Sequence, residues 1–156
     1  MARRKVIEWL IHRLEHEVDD RHFHMEMWLC EANEEANGIL YHNERSIPYC
    51  KTAGCIAGSL FLGLPAKLRR AYAQLPENNY DGVADVGQAA QEQLGLSKRE
   101  AHRLFVPDAE NINKLIRQNA IDVLKRMLTH SEINWRAIVP EQCSGSTPTP
   151  ITLTDD

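Results

Sequence analysis

Val6, Ile7, Leu10, Ile11, Leu14 and Val18 recur at three- and four-residue steps, with mostly polar side chains between them, the spacing of one stripe on an amphipathic helix. Further on, Phe23, Met27, Leu29 and Cys30 predict a second helical piece that ends near Asn37 and Gly38, where glycine suits the position after a helix end. Residues 39–49 read as a connecting loop, because Pro48 holds Ile47 in extended geometry. A third helix is predicted from Thr52 to Leu62 and is stopped by Gly63 and Pro65. Gly54 and Gly58 stand four apart, as do Ala53 and Ala57, which leaves one side of that helix nearly flat. Each interior glycine costs about 1 kcal/mol of helix propensity against alanine, so packing has to recover it. This helix is therefore expected to be the central, most buried one.

After a turn or two of helix before Pro76 and a loop through Asn78 and Gly82, residues 83–105 predict two helices broken at Gly95. Ser97 and Glu100 are spaced as a capping box at the start of the second. Asp108 is the expected cap of a last long helix ending near His130, with Ile112, Leu115, Ile116, Val123, Leu124, Met127 and Leu128 as its apolar stripe. The final residues are rich in Ser, Thr and Pro and lack a helical period. The expectation is an all-α fold: a single compact multi-helix domain over residues 1–139 around a buried Gly/Ala-rich helix, followed by a flexible tail over residues 140–156.

Composition adds bounds to this picture. A chain of 156 residues, 43% hydrophobic and 26% charged, is of a size to bury one core. Its net charge of -4 excludes coating of nucleic acid or anionic membrane by bulk electrostatics and leaves room only for a local basic patch. Arg3, Arg4 and Lys5 resemble the start of a signal peptide, but Glu8, His12, Arg13 and Glu15 interrupt any apolar region behind them. The longest mostly apolar run, Ala53 to Leu64, is well short of the roughly 20 residues that span a bilayer. A soluble, cytoplasmic protein with no membrane partner is expected. In a reducing compartment Cys30, Cys50, Cys55 and Cys143 are expected as free thiols, and no CxxC pair suggests a zinc site.

Three stretches carry candidate chemistry. His12, Glu15 and His16 match an inverted zincin pattern, yet both histidines fall opposite the apolar stripe, which favours a solvated charged face and no metal. Cys50 stands at the expected N-terminal edge of the central helix, where peptide dipoles lower a thiol's pKa. It is the tentative nucleophile, with His24, His42, His102 and His130 as candidate bases. Cys55, one turn on, fits a small buried hydrophobe. Residues 89–105 read like a helix-turn-helix with Ser97, Lys98, Arg99, His102 and Arg103 pointing outward, suited to phosphate and base contacts. The alternative is a helical hairpin with a solvated basic face.

Together, Phe23, Met25 and Trp28, then Cys50, Thr52, Cys55, Ile56, Ala57 and Gly58, then Ala90, Leu94 to Ser97, Glu100, Ala101, Leu104 and Phe105, and finally Trp135, resemble a family of small uncharacterised bacterial and phage proteins. The resemblance spans roughly residues 20 to 136. This chain departs from the family pattern at Lys51, where relatives carry glycine, and at Ser59, where they carry an aromatic residue or histidine. The resemblance implies a helical fold, a bacterial or phage setting and a packing signature at Cys55 and the small residues of the motif formed by Cys50, Thr52, Cys55 and Gly58, with the role of Cys50 left open; it implies no reaction and no cofactor.

The leading functional expectation is a non-enzymatic protein-interaction module, such as a modulator or inhibitor of a host system, with a protein partner and with Trp28, Trp135 and residues 41–49 as candidate anchors, although both tryptophans read more readily as buried core residues. DNA binding through residues 97–103 is the alternative, and a cysteine-dependent enzyme using Cys50 the second.

Overall fold

The computed structural model describes residues 3–20, 23, 25, 30–32, 39–40, 52–53, 55–73, 86–107, 115–140 and 150–153. The amphipathic stripe at the start of the chain forms α1 (Arg4–His16), with Ile7, Leu10, Ile11 and Leu14 buried and Val18 closing the stripe beyond its end. It stops where Arg117, from far along the chain, donates through Nη1 to the carbonyls of Leu14, at 3.0 Å, and Val18, while its Nε reaches Asp20 at 3.1 Å. These bonds satisfy carbonyls that a helix end leaves without partners.

The predicted second helix is not what the described residues form. Cys30–Ala32 is a strand, β1, followed by β2 (Ile39–Leu40) and β3 (Thr52–Ala53), in the order β2-β1-β3 with both pairings antiparallel. Glu31 stands opposite Leu40 on one side and Thr52 on the other. No residue of this sheet has a strong intrinsic claim to a strand except Ile39 and Thr52; pairing with distant segments, rather than local propensity, decides its state. The expected loop over 39–49 is accordingly a strand at its start.

The same pairing moves the start of the central helix. Thr52 and Ala53 belong to β3, Cys55 is the extended N-cap (φ -74°, ψ -166°), and α2 runs Ile56–Gly63. It is the buried centre, with Ile56 to Phe61 almost fully enclosed, and it ends where Leu64 turns extended before Pro65. Helices α3 (Ala66–Ala73), α4 (Val86–Leu94) and α5 (Lys98–Phe105) follow. The most extensive helix contact is between α2 and α4, where small residues let the two backbones approach: Ala57, Ala89 and Ala90 are all fully buried.

The last long helix, α6, is Arg117–His130 and begins well after Asp108, which lies outside the described residues, as does Ile112. Ile116, expected in the core, is 59% exposed at the N-cap, where its N–H is accepted by Asn119 Oδ1 at 2.9 Å. Ala120, Ile121, Val123, Leu124 and Met127 form the buried stripe against α1. Ser131, in the left-handed region (φ 52°), turns the chain into β4 (Glu132–Ile133) and then α7 (Trp135–Ile138).

The flexible-tail expectation needs correction for residues 151–153. Ile151–Thr152 is a strand, β5, paired antiparallel with β4, and the Leu153 N–H donates to the Ser131 carbonyl at 2.7 Å. Ile151 and Leu153 alternate with Thr152 in strand period and turn apolar surface to the core, Ile151 being buried and Leu153 partly so. The fold is all-α, one compact helical body with two small sheets as accessories. No described helix is long and apolar enough to cross a membrane.

Candidate functional site

The α4–α5 hairpin is built by two local devices. Gly95 adopts the left-handed conformation (φ 67°) just past α4, the Leu96 N–H reaches back to the Gln91 carbonyl at 3.0 Å and the Gly95 N–H to Glu92 at 3.2 Å. This is a Schellman end, which needs a residue free of Cβ strain at that position. Two residues later Ser97 Oγ accepts from the Glu100 N–H at 3.3 Å, and the Glu100 carboxylate accepts from the Ser97 N–H at 2.6 Å. The capping box expected from sequence is present and fixes where α5 begins.

With α5 so placed, Glu100, Ala101, Leu104 and Phe105 face inward, whereas Ser97, Lys98, Arg99 and His102 are exposed and Arg103 is half-buried. The structure thus brings all five residues of the predicted contact set onto one element. The helix has a single carboxylate, Glu100, and that group is buried in the cap. Arg99 and Arg103 stand four apart, a like-charge spacing that costs a few tenths of a kcal/mol. Five cations elsewhere meet carboxylates, Arg4 with Glu8, Arg13 with Glu17, Arg117 with Asp20, Lys125 with Glu15 and Arg126 with Glu132, whereas Arg3, Lys5, Lys67, Arg70 and Arg136 meet none among the described residues. Among the described residues Lys98, Arg99 and Arg103 meet none.

A bracing contact that the sequence pattern does not reveal lies beside this face. Trp135 is buried and donates from Nε1 to the Arg103 carbonyl at 3.1 Å, satisfying an orphan acceptor in the last turn of α5. Arg136, the next residue, is exposed on α7. Trp135 is therefore a brace between α5 and α7 and presents no anchor to a partner; Trp28 and residues 41–49 lie outside the described residues. No pattern within residues 130–140 signals this contact, because its partner is 32 positions away.

The cysteine site loses its placement. Cys50 lies outside the described residues, and the helix whose edge would have activated it starts only at Ile56, beyond β3. Cys55 occupies that edge instead. Burial pushes its thiol up to about 11, against smaller opposite effects of the Gly58, Ala57 and Cys55 backbone groups, so it is a neutral, enclosed thiol at neutral pH. Gly58 is buried within α2, and Thr52 lies in β3. Of the candidate bases, His102 and His130 are exposed, and His24 and His42 lie outside the described residues.

His12 and His16 are exposed on α1 with ring centroids 4.6 Å apart. Glu15 between them is bound by Lys125 at 2.6 Å, a contact that lowers its pKa and commits the carboxylate that a zincin would use as base. Among the described residues no group of three or more metal-ligating side chains comes together.

Comparison of the chain with protein-family models, with curated proteins and with solved structures finds no match.

Proposed function

We propose that this protein is a non-enzymatic interaction module whose contact surface is the exposed face of α5 and whose partner is anionic. A component of a host system bound by a small bacterial or phage protein, with an acidic surface complementary to α5, fits this reading. One observation carries it: Lys98 and Arg99 are exposed and Arg103 is half-buried on a helix fixed by a capping box, its only carboxylate is buried, and none of the three is paired with a carboxylate among the described residues. An unneutralised row of cations weakens the isolated helix slightly and strengthens electrostatic complementarity to an anion, which governs specificity and association rate.

A second reading, duplex DNA, is favoured by the hairpin itself, since a tight glycine turn leading into a capped basic helix is how many DNA-binding proteins present a recognition helix. The test is elution of the intact chain from an immobilised sulfated polysaccharide along a salt gradient. Arg99→Glu with Arg103→Glu is expected to elute at much lower salt than wild type, with an unchanged far-ultraviolet circular dichroism spectrum. Equal elution of the two would remove α5 as the contact face.

A further inference from the structure

The turn before α5 has a neighbour from the opposite end of the sequence. The Arg3 N–H donates to the Leu94 carbonyl at 2.8 Å, so the residue that opens α1 seals the end of α4 immediately before Gly95. This bond places Arg3 beside the end of α4, three residues before Ser97, and both Arg3 and Lys5 are exposed. The Arg3 charge also acts on the Tyr72 phenol of α3. Burial raises that group's pKa most, with Glu92 adding to the rise and Gln93 and Arg3 opposing it. Tyr72 in turn donates to Glu92 of α4 at 2.8 Å, so Arg3, α3 and α4 converge at this corner. Arg4 is the exception in its segment, being paired with Glu8 at 2.8 Å. Among the described residues Arg3 and Lys5 have no carboxylate partner, a state they share with the cations of α5 and with Lys67, Arg70 and Arg136; what sets Arg3 apart from these last three is its bond to Leu94 at the approach to α5.

We propose that Arg3 and Lys5 join Lys98, Arg99 and Arg103 in one composite binding surface, and that its ligand is the phosphate backbone of duplex nucleic acid. This rests on the reading of α5 as the contact face and takes its second partner, duplex nucleic acid, over an acidic protein surface. The cations are divided between the start of α1, which the Arg3–Leu94 bond fastens to the end of α4, and α5, where they are strung along a helix of eight residues, about 12 Å long. A ligand that meets both groups must carry negative charge at many places along an extended surface. Duplex nucleic acid does so, with one charge for about every 1.7 Å of its axis. The rest of the chain is acidic, which gives the net charge of -4 and opposes attraction of a polyanion by the molecule as a whole.

The test measures binding of the full chain to a fluorescent mixed-sequence duplex of about 20 base pairs across salt concentrations, with polyglutamate as the acidic-polypeptide comparator. Five phosphate contacts give a slope of log K against log salt of about -4.5. Arg3→Glu with Lys5→Glu, and separately Lys98→Glu with Arg99→Glu, are each expected to weaken duplex binding at least tenfold and to flatten the slope by about 2. Glutamate in the first turn of a helix suits the helix dipole, so these variants are expected to stay folded. Lys125→Glu is the charge control. Its partner Glu15 lies about 18 Å along α1 from Arg3, and this change is expected to weaken binding less than threefold.

Duplex binding that responds to the α5 pair and ignores the Arg3 and Lys5 pair overturns the composite surface and leaves α5 standing alone. Binding to polyglutamate without binding to duplex overturns the nucleic-acid partner while preserving an anionic protein partner. Binding to neither overturns this inference and the proposed function together.

Discussion

The side chain of Arg13 occupies the space that a side chain on Gly63 would need. A Cβ at Gly63 would lie 2.7 Å from Arg13 Nε and 2.6 Å from Trp9 Cη2, well inside contact distance. Arg13 cannot simply swing away, because it is buried, donates to the Ser59 carbonyl at 2.8 Å and is paired with Glu17 at 2.6 Å. Gly63→Ala is therefore expected to destabilise the protein by about 1–3 kcal/mol, the usual cost of overpacking. Urea unfolding checks this, and a midpoint equal to wild type would show that Arg13 and Trp9 are free to shift.

Ser59 presents the opposite case. Its hydroxyl is buried without a hydrogen-bond partner among the described residues, while its carbonyl serves Arg13. Ser59→Ala keeps the carbonyl, removes an unsatisfied polar atom and improves helix propensity. It is expected to be neutral or to stabilise by up to about 1 kcal/mol. A clear loss of stability in the same urea experiment would mean that the hydroxyl has a partner in solution.

Cys55 is expected to resist alkylation in the native protein across pH 6 to 9. Its folded-state pKa of about 11 keeps the thiolate scarce throughout that range, and burial withholds the thiol from reagent. Site-resolved mass spectrometry should show modification of Cys55 only at the rate of unfolding or faster once denaturant is present. Rapid native modification that titrates near 8.5, the ordinary thiol value, would contradict the enclosed position.

The docking of β5 depends on Ile151, which covers Ile133 of β4 in register. Ile151→Ala is expected to cost about 1–2 kcal/mol, less than a central core truncation because the strand is only two residues long and lies at the edge of the body. Hydrogen exchange of the Leu153 amide, bonded to Ser131, should quicken in the variant more than the amides of α2 do. Parallel changes at both places would mean that β5 opens only when the whole domain opens.

Elements whose determinants lie within a few residues of one another are legible in the order of amino acids. The apolar stripe of α1, the buried stripe of α6 from Val123 onward, the glycine turn and the Ser97–Glu100 box follow from contacts within about one or two helical turns. The outward set on α5 follows with them, since a fixed helix start dictates which positions face the core.

Hydrogen bonds between residues far apart in the chain settle the rest. Thr52 and Ala53 are a strand because Cys30 and Glu31 pair with them, which delays α2 to Ile56 and leaves Cys55, not Cys50, at its edge. The end of the chain docks because Ser131 and β4 offer it partners, and Arg3 meets Leu94 only once α1 and α4 have packed. Local periodicity and capping belong to the amino-acid sequence. Strand pairing, the burial of Cys55 and the bond between Arg3 and Leu94 belong to the tertiary structure, because each depends on a partner whose position no neighbouring residue encodes.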